Sequence, residues 1–228
     1  MSSFYNISII IPVLNEGNNI QQTLLNLQLV RKQDVELIVV DGGSDDNTVE
    51  LAKPLCDFVI QSSPGRAKQM NAGANLANGA VLLFLHADTQ LPSFFHKNLL
   101  GEMKMQNKKW GRFDIKLSSN KLVFRVIESM VNIRSKLSGI ATGDQAIFIE
   151  KELFAHVKGF PQIDLMEDVA ISTTLKKIEF PLCLKLKVIT SSRRWEQYGI
   201  WKTIILMWKL RYAYFRGEDP NRLARKYL

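Results

Sequence analysis

The chain has 228 residues, enough for one large domain, or two small ones, with a buried core. Its apolar fraction of 46% excludes an intrinsically disordered chain. No apolar run approaches the roughly 18 residues of a membrane-spanning helix, and no basic leader is expected at the start, so we predict a cytoplasmic protein. The formal net charge of +8 indicates an anionic partner, either nucleic acid, a phosphorylated small molecule or a membrane surface.

The first half of the chain alternates between strand-like and helical patterns. Short apolar runs predict strands over residues 7–11, 35–40, 58–60 and 81–85. Helical spacing of apolar residues, or runs of helix formers, predicts helices over 18–30, 48–55 and 66–78. Strand–helix alternation with short loops is typical of a parallel, doubly wound sheet.

The second half is less regular. Strands are predicted over residues 111–117, 145–150 and 184–190, and helices over 121–137 and within 163–178. No linker rich in Pro, Gly or Ser separates the two halves. We therefore predict a single α/β domain over residues 1–196, with a mostly parallel central sheet flanked by helices, followed by a C-terminal helical extension over 197–228.

The strand predicted over residues 81–85 ends at two polar side chains, His86 and Asp88. Neither group can be left buried without a partner. Ligands of open α/β sheets bind at the carboxyl ends of the strands. This pair therefore predicts a metal or phosphate site at that edge of the sheet.

The first strand runs into the loop Pro12-Val13-Leu14-Asn15-Glu16. Pro12 removes a hydrogen-bond donor from the sheet, which frees the loop to hold a ligand. The structural alternative makes Asn15 the cap of the next helix and Glu16 an acid favoured by the helix dipole. On this motif alone, the structural alternative is the better interpretation.

The second strand ends in the sequence DGGSDDNT, residues 41–48. Glycines such as Gly43 permit a close approach of the backbone to a ligand, and Asp41 would accept hydrogen bonds from a base or ribose. The alternative is a glycine-rich turn before a helix that Ser44 or Asp45 caps. No G-x-G-x-x-G sequence opens the first helix, so a dinucleotide site is not predicted.

Charged pairs open two of the predicted helices. Arg66 and Lys68 place two cations where the helix dipole prefers anions, an arrangement that suits a bound phosphate better than a surface charge pair. Glu167 and Asp168 form an acidic pair at the start of a later helix. Such a pair is usually only a complement to the dipole, although its place after an apolar loop also favours catalysis.

Taken together and in this order, these segments resemble glycosyltransferase family 2, the inverting enzymes of GT-A fold. The resemblance rests on SIIIPVLNE, VDGGSDDNT, GRAKQMNAGA and the element His86-Ala87-Asp88, which stands where the family has its metal-binding Asp-x-Asp. Gly143-Asp144-Gln145 and Met166-Glu167-Asp168 match the acceptor-side elements. The resemblance covers residues 5–195, and GRAKQMNAGA and TSSRRW are most similar to small bacterial enzymes associated with arsenosugar-type biosynthetic clusters.

The resemblance implies a nucleotide-sugar site and a catalytic pair. Asp41 would contact the base, in a pocket walled by Pro12, Asn15 and Glu16. The same site would include Gly43, Arg66, Lys68, Asp144, Arg194 and Trp195. Asp88 would hold Mg²⁺ or Mn²⁺ against the diphosphate. Asp168, with Glu167 beside it, would act as the general base, and a single displacement gives inversion.

The sequence departs from the family's pattern at three places. Gly42 replaces an Asp that is often found in the second turn, which removes one ribose contact. His86 replaces the first Asp of Asp-x-Asp, and imidazole is a poorer ligand than carboxylate for Mg²⁺, so the predicted metal site rests on Asp88. Only Arg194-Trp195 remains of the Gln-x-x-Arg-Trp of processive members, which argues against a polymerising enzyme.

The segment from residue 200 to 216 is apolar and aromatic, and its cations Lys202, Lys209 and Arg216 recur every seven residues. Packing on the domain or on a second subunit is the favoured interpretation of this helix. The alternative is peripheral contact with the inner face of a membrane.

The leading functional prediction is an inverting transfer of a sugar from a UDP- or GDP-linked donor to an unidentified hydroxyl acceptor. The alternatives are transfer to a polyprenyl phosphate at the membrane surface, which needs no base, and a nucleotide-sugar-binding protein without catalysis. Nucleic acid is not a predicted partner, because the cations are scattered and no RNA-reading aromatic motif is present.

Overall fold

The computed structural model describes residues 6–31 and 33–227. Within them, eight strands form one sheet in the order β3-β2-β1-β4-β7-β6-β8-β5. The strands are β1 (Ile7–Val13), β2 (Val35–Asp41), β3 (Phe58–Gln61), β4 (Val81–Phe84), β5 (Thr89–Gln90), β6 (Trp110–Leu117), β7 (Phe148–Glu150) and β8 (Leu182–Thr190). The predicted α/β class with a mostly parallel sheet is confirmed.

Helices cover both faces of the sheet. They are α1 (Ile20–Arg31), α2 (Thr48–Ala52), α3 (Arg66–Leu76), α4 (Phe95–Met105), α5 (Leu122–Ser138), α6 (Lys151–His156), α7 (Glu167–Leu175), α8 (Arg193–Tyr198), α9 (Ile200–Phe215) and α10 (Pro220–Tyr227). Residues 53–55 and 143–145 form short 3₁₀ turns. None of the helices in the described residues is long and apolar enough to cross a membrane.

The first half of the chain is the parallel part of the sheet. β1 pairs in parallel with both β2 and β4, and every residue of β1 and β2 is buried. Alternate side chains of β1 enter opposite layers: Ile9 packs in the cluster with α1, and Ile10 packs in the cluster with α3. Burial on both faces explains why these strands read as continuous apolar runs.

The second half adds antiparallel pairs. β7 lies antiparallel to β4 and to β6, whereas β6 and β8 are parallel. The predicted strand 145–150 begins only at Phe148, because Gly143–Gln145 form a 3₁₀ turn in which Thr142 and Gln145 make a capping box. That turn lies beside the carboxyl end of β4, where the ligand edge was predicted.

The C-terminal helices pack on the domain through one face. Leu210 of α9 and Leu223 of α10 are buried in a cluster with Met166 and Val169, which flank the start of α7. This packing brings the C-terminal helices next to the predicted catalytic pair. The division into residues 1–196 and 197–228 stays a prediction.

Candidate active site

A cleft of about 420 Å³ opens where β4, β8 and the start of α7 meet. The first half of the chain contributes Glu16, Arg66, His86 and Asp88 to its walls. The second half contributes Asp144, Glu167, Asp168, Arg194 and Trp195. The fold thus gathers nine of the predicted site residues, from segments far apart in sequence, around one cavity.

Asp168 is held in place by two main-chain donors. Its Oδ2 accepts a hydrogen bond from Gly143 N (2.8 Å), and its Oδ1 accepts one from Val169 N (2.7 Å). Burial raises the pKa of Asp168 above its ordinary value, although these two hydrogen bonds oppose the rise. The carboxylate therefore has a fixed orientation and a strengthened affinity for a proton.

Glu167 stands beside Asp168 at the first position of α7 and is buried. Burial, followed by the negative charge of Asp168, raises the pKa of Glu167 to about 7, and the cation of Arg66 acts in the opposite direction. Two neighbouring carboxyl groups with raised pKa values at the wall of a cleft are typical of acid–base sites.

His86 and Asp88 follow β4 at the edge of the cleft. Burial, with help from the Arg66 cation, lowers the pKa of His86 to about 3, so the imidazole is neutral. Asp88 Oδ1 accepts a hydrogen bond from Thr89 Oγ1 at 3.3 Å. Across residues 6–31 and 33–227, no group of three or more His, Cys, Asp or Glu side chains is arranged to hold a metal ion by itself.

Gly143 connects two pairs of polar side chains, His86 with Asp88 and Glu167 with Asp168. A Cβ added there would lie 2.6 Å from His86 Nε2, so only glycine lets the 3₁₀ turn approach the imidazole this closely. The backbone N–H of Gly143 also donates a hydrogen bond to Asp168. The turn thus positions the His86 side of the cleft and the pair Glu167 and Asp168 relative to one another.

The loops after β1 and β2 are tied together outside this cleft. Asn15 N donates to Ser44 Oγ (2.9 Å), and Asn15 Oδ1 accepts from Asp45 N (2.9 Å). Asn15 is therefore not the cap of α1, which begins at Ile20. The alternative that Ser44 or Asp45 caps α2 is also wrong, because Asp46 accepts the hydrogen bond from Thr48 N.

The remaining predicted donor-site residues lie away from the cleft walls. Asp41 is buried, and its carboxylate accepts hydrogen bonds from Gly43 N (3.0 Å) and Ser44 N (3.1 Å), so it organises its own turn. Pro12 is buried in β1. Gly43 and Lys68 are exposed. The structure brings Glu16 and Arg66 to the cleft but not these four residues.

Two arginines near the cleft, Arg134 and Arg211, were not predicted. Arg211 of α9 lines the cleft together with Arg193 of α8. Arg134 is partly buried. Burial and the Arg211 cation lower the pKa of Arg134 to about 10, while Asp144 and Asp168 act in the opposite direction. The only sequence signal was the spacing of Thr203, Met207 and Arg211, which places all three on one face of a helix.

Arg194 contacts the last helix, α10, through Tyr227. Its Nη2 donates to the carbonyl oxygen of Tyr227 at 2.6 Å, and its guanidinium lies 3.6 Å from the centre of the Tyr227 ring. Trp195 lies at the cleft and also packs against the apolar cluster of α5. α10 therefore closes one side of the cleft through Tyr227.

Residues 8–148, more than half of the chain, match the family described as Glycosyl transferase family 2. The chain belongs to this family, as the motifs predicted, and so falls in the class of glycosyl transferases. Poly-beta-1,6-N-acetyl-D-glucosamine synthase of Staphylococcus aureus is 24% identical over an alignment of 220 positions, which covers 86% of this chain and 53% of the synthase. The chain spans between 30% and 53% of the length of three curated relatives that it matches.

Solved structures share the fold. The structure of S. aureus TarS residues 1–349 has a TM-score of 0.67 at 20% identity and covers 82% of this chain and 60% of that chain. The mannosyltransferase PcManGT from Pyrobaculum calidifontis, in complex with GDP-Man and Mn²⁺, has a TM-score of 0.62 at 19% identity, over 81% of this chain and 56% of that one. These likenesses confirm the predicted GT-A fold.

Proposed function

We propose that the chain transfers a sugar from a nucleoside diphosphate sugar to an acceptor hydroxyl, with inversion, and that Asp168 is the general base. The observation that carries the proposal is the carboxylate of Asp168, which two backbone N–H groups fix at the wall of the cleft while burial raises its pKa. A base with a raised proton affinity accepts a proton from a hydroxyl better than an ordinary aspartate does.

The donor would enter from the side of Arg66. This residue opens α3, whose preceding residue Gly65 provides no side-chain cap, so the first backbone N–H groups of the helix are available to a phosphate. TarS has been solved with UDP-GlcNAc and PcManGT with GDP-Man, which supports a donor of this class. The base of the nucleotide would lie against the paired loops after β1 and β2. There Asp41 and Gly43 shape the turn beside Pro12, Asn15 and Glu16. Lys68, Asp144, Arg194 and Trp195 complete the proposed donor site.

The residues at the edge of β4 fit a divalent metal that is shared with a diphosphate. Mg²⁺ and Mn²⁺ in such sites use one or two protein ligands and fill the remaining positions with phosphate oxygens and water. Asp88 supplies the carboxylate, and the neutral imidazole of His86 is the weaker candidate ligand, better suited to Mn²⁺. When bound, the metal would neutralise charge on the leaving diphosphate.

The catalytic step then has one base and one displacement. The acceptor hydroxyl gives its proton to Asp168 as its oxygen attacks the anomeric carbon, and the bond from that carbon to the diphosphate breaks on the opposite face. The raised pKa of Glu167, about 7, favours its protonated form and so limits the negative charge beside Asp168. Single displacement inverts the anomeric configuration.

A donor screen tests the proposal. Calorimetry with UDP- and GDP-linked sugars, with and without Mn²⁺, should show one donor class that binds at least about tenfold tighter with the metal. Asp88→Asn should bind that donor without metal dependence, whereas Asp164→Asn, an exposed residue outside the cleft, should behave as the wild type.

The wild type should slowly hydrolyse the same donor. The sugar that is released first should have the inverted anomeric configuration, which proton NMR detects. The absence of binding by any nucleotide sugar would refute the function. Equal binding with and without metal by the wild type would refute the role of Asp88.

A further inference from the structure

Two neighbouring helices present stripes of exposed apolar side chains. On α9 the stripe consists of Trp201, Ile205, Trp208, Tyr212 and Phe215, each more than half exposed. On α5 it consists of Leu122, Val126, Met130, Ile133 and Leu137, also more than half exposed. Steps of three and four residues put each set on one face of its helix. We call the two stripes together the α5–α9 surface.

The two helices touch each other. Phe124 and Ile127 of α5 form an apolar cluster with Ile200 and Ile204 of α9, on faces other than the exposed stripes. Exposed apolar surface of this extent on a soluble domain marks an interaction site. The opposite face of α9 lines the cleft through Thr203, Met207 and Arg211, so the surface and the cleft share a helix.

The charges beside the stripe have one sign. Lys202, Lys209 and Arg216 are exposed on α9 and form no ion pair with any other residue in the described part of the chain. α9 contains no acidic residue, and Glu128, the acid within α5, is buried. The surface therefore presents apolar and aromatic side chains with a cationic border and without exposed acids on either helix.

We propose that the α5–α9 surface docks on an anionic lipid membrane. Tryptophan and tyrosine favour the boundary between headgroups and acyl chains, and the lysines and the arginine complement the phosphates of the headgroups. A second copy of this chain is the poorer partner, because a symmetric contact would bring the same cations against one another. No helix needs to cross the bilayer for this mode of binding.

Docking through this surface would fix the position of the cleft relative to the membrane. Docking through one face of α9 places Thr203, Met207 and Arg211, on its other face, within one helix diameter of the membrane surface. A water-soluble nucleotide sugar would reach the cleft from solvent, while an acceptor held at the membrane would be close to Asp168.

Vesicle sedimentation with the full chain tests the proposal. The wild type should sediment with vesicles of phosphatidylcholine and phosphatidylglycerol, and much less with phosphatidylcholine alone. Trp201→Ser/Trp208→Ser and Leu122→Ser/Leu137→Ser should each lower the partition coefficient by about tenfold or more. Lys202→Glu/Lys209→Glu should lower it by about tenfold on the anionic vesicles.

Two matched variants serve as controls. Leu29→Ser/Met105→Ser removes side chains of equal exposure from α1 and α4, and Lys185→Glu/Lys187→Glu reverses exposed charges on β8; both should bind as the wild type does. Because all substituted side chains are exposed, the variants should melt within a few degrees of the wild type.

Failure of the wild type to sediment with anionic vesicles at low salt would overturn the proposal. Equal losses in the control variants would overturn it too. A lipid-free dimer in sedimentation velocity, dissociated by Trp201→Ser/Trp208→Ser, would assign the surface to a second copy instead. All of these readouts are independent of sugar transfer.

Discussion

The two adjacent carboxyl groups of the proposed catalytic pair, Glu167 and Asp168, have different surroundings. Asp168 is fixed by the backbone N–H groups of Gly143 and Val169, whereas Glu167 is buried and its pKa responds to the charges of Asp168 and Arg66 in opposite directions. Burial and the charge of Asp168 raise the pKa of Glu167 to about 7, whereas two backbone hydrogen bonds oppose the rise in the pKa of Asp168. The pH dependence of the enzyme should report this difference.

We predict that Glu167→Gln retains sugar transfer to within about tenfold, because the glutamine keeps the shape of the side chain and leaves Asp168 in place. The kcat/KM profile of the wild type should have an inflection near pH 7 that this variant lacks. Steady-state kinetics from pH 5 to 9 with the donor identified by the screen would measure both. A loss of activity in Glu167→Gln as large as that in Asp168→Asn would contradict Asp168 as the sole base.

The same residue makes the stability of the fold depend on pH. Because its pKa is raised in the folded state, Glu167 binds its proton more tightly there than in the unfolded chain. Its contribution to stability is complete below the ordinary carboxyl range and is lost as the pH rises through about 7. The fold therefore carries a cost at neutral pH for keeping this carboxyl group in the cleft.

At the scale of elements, the contact of α3 with the sheet depends on a glycine. A Cβ at Gly73 would lie 2.5 Å from Ile10 Cγ2 and 2.9 Å from Val40 Cγ2, so α3 packs against β1 and β2 as closely as a backbone allows. This contact sets the position of Arg66 at the other end of the helix.

We predict that Gly73→Ala lowers the free energy of unfolding by about 1–3 kcal/mol, since the added methyl group overpacks the core. Gly101→Ala is the matched control, because its Cβ would meet nothing within 4 Å in the middle of α4. That substitution should raise stability by about 0.5–1 kcal/mol through helix propensity. Urea unfolding measures both, and equal effects would show that α3 does not touch the sheet this closely.

The elements of the first half were predictable because their signal is local. Runs such as residues 7–11 and 35–40 are apolar for the whole length of a strand, and polar loops end them. Two features were not predictable in this way. The antiparallel insertion of β7 between β4 and β6 depends on pairing between distant segments, and Asn15 bonds to Ser44 and Asp45 rather than to its own helix.

At the scale of the whole molecule, the cleft combines residues of the parallel half of the sheet with residues of the last two helices. Arg66 and Asp88 come from the parallel half, and Arg211 and Tyr227 come from the last two helices. The motifs predicted Arg66, Asp88 and the pair Glu167 and Asp168 as site residues. Composition and spacing could not place Arg211 or Tyr227, because their positions follow from the packing of Leu210 and Leu223 against the start of α7.

The most direct test of the central claim is the rate of sugar transfer by Asp168→Asn at a saturating concentration of the donor. The substitution keeps the size of the side chain and removes its ability to accept a proton, so kcat should fall by about 10²–10⁴-fold while calorimetry shows unchanged donor binding. Asp164→Asn should retain the kcat of the wild type. A nearly unchanged kcat for Asp168→Asn would contradict a base at this position and would instead indicate an acceptor that is already an anion, such as a lipid phosphate.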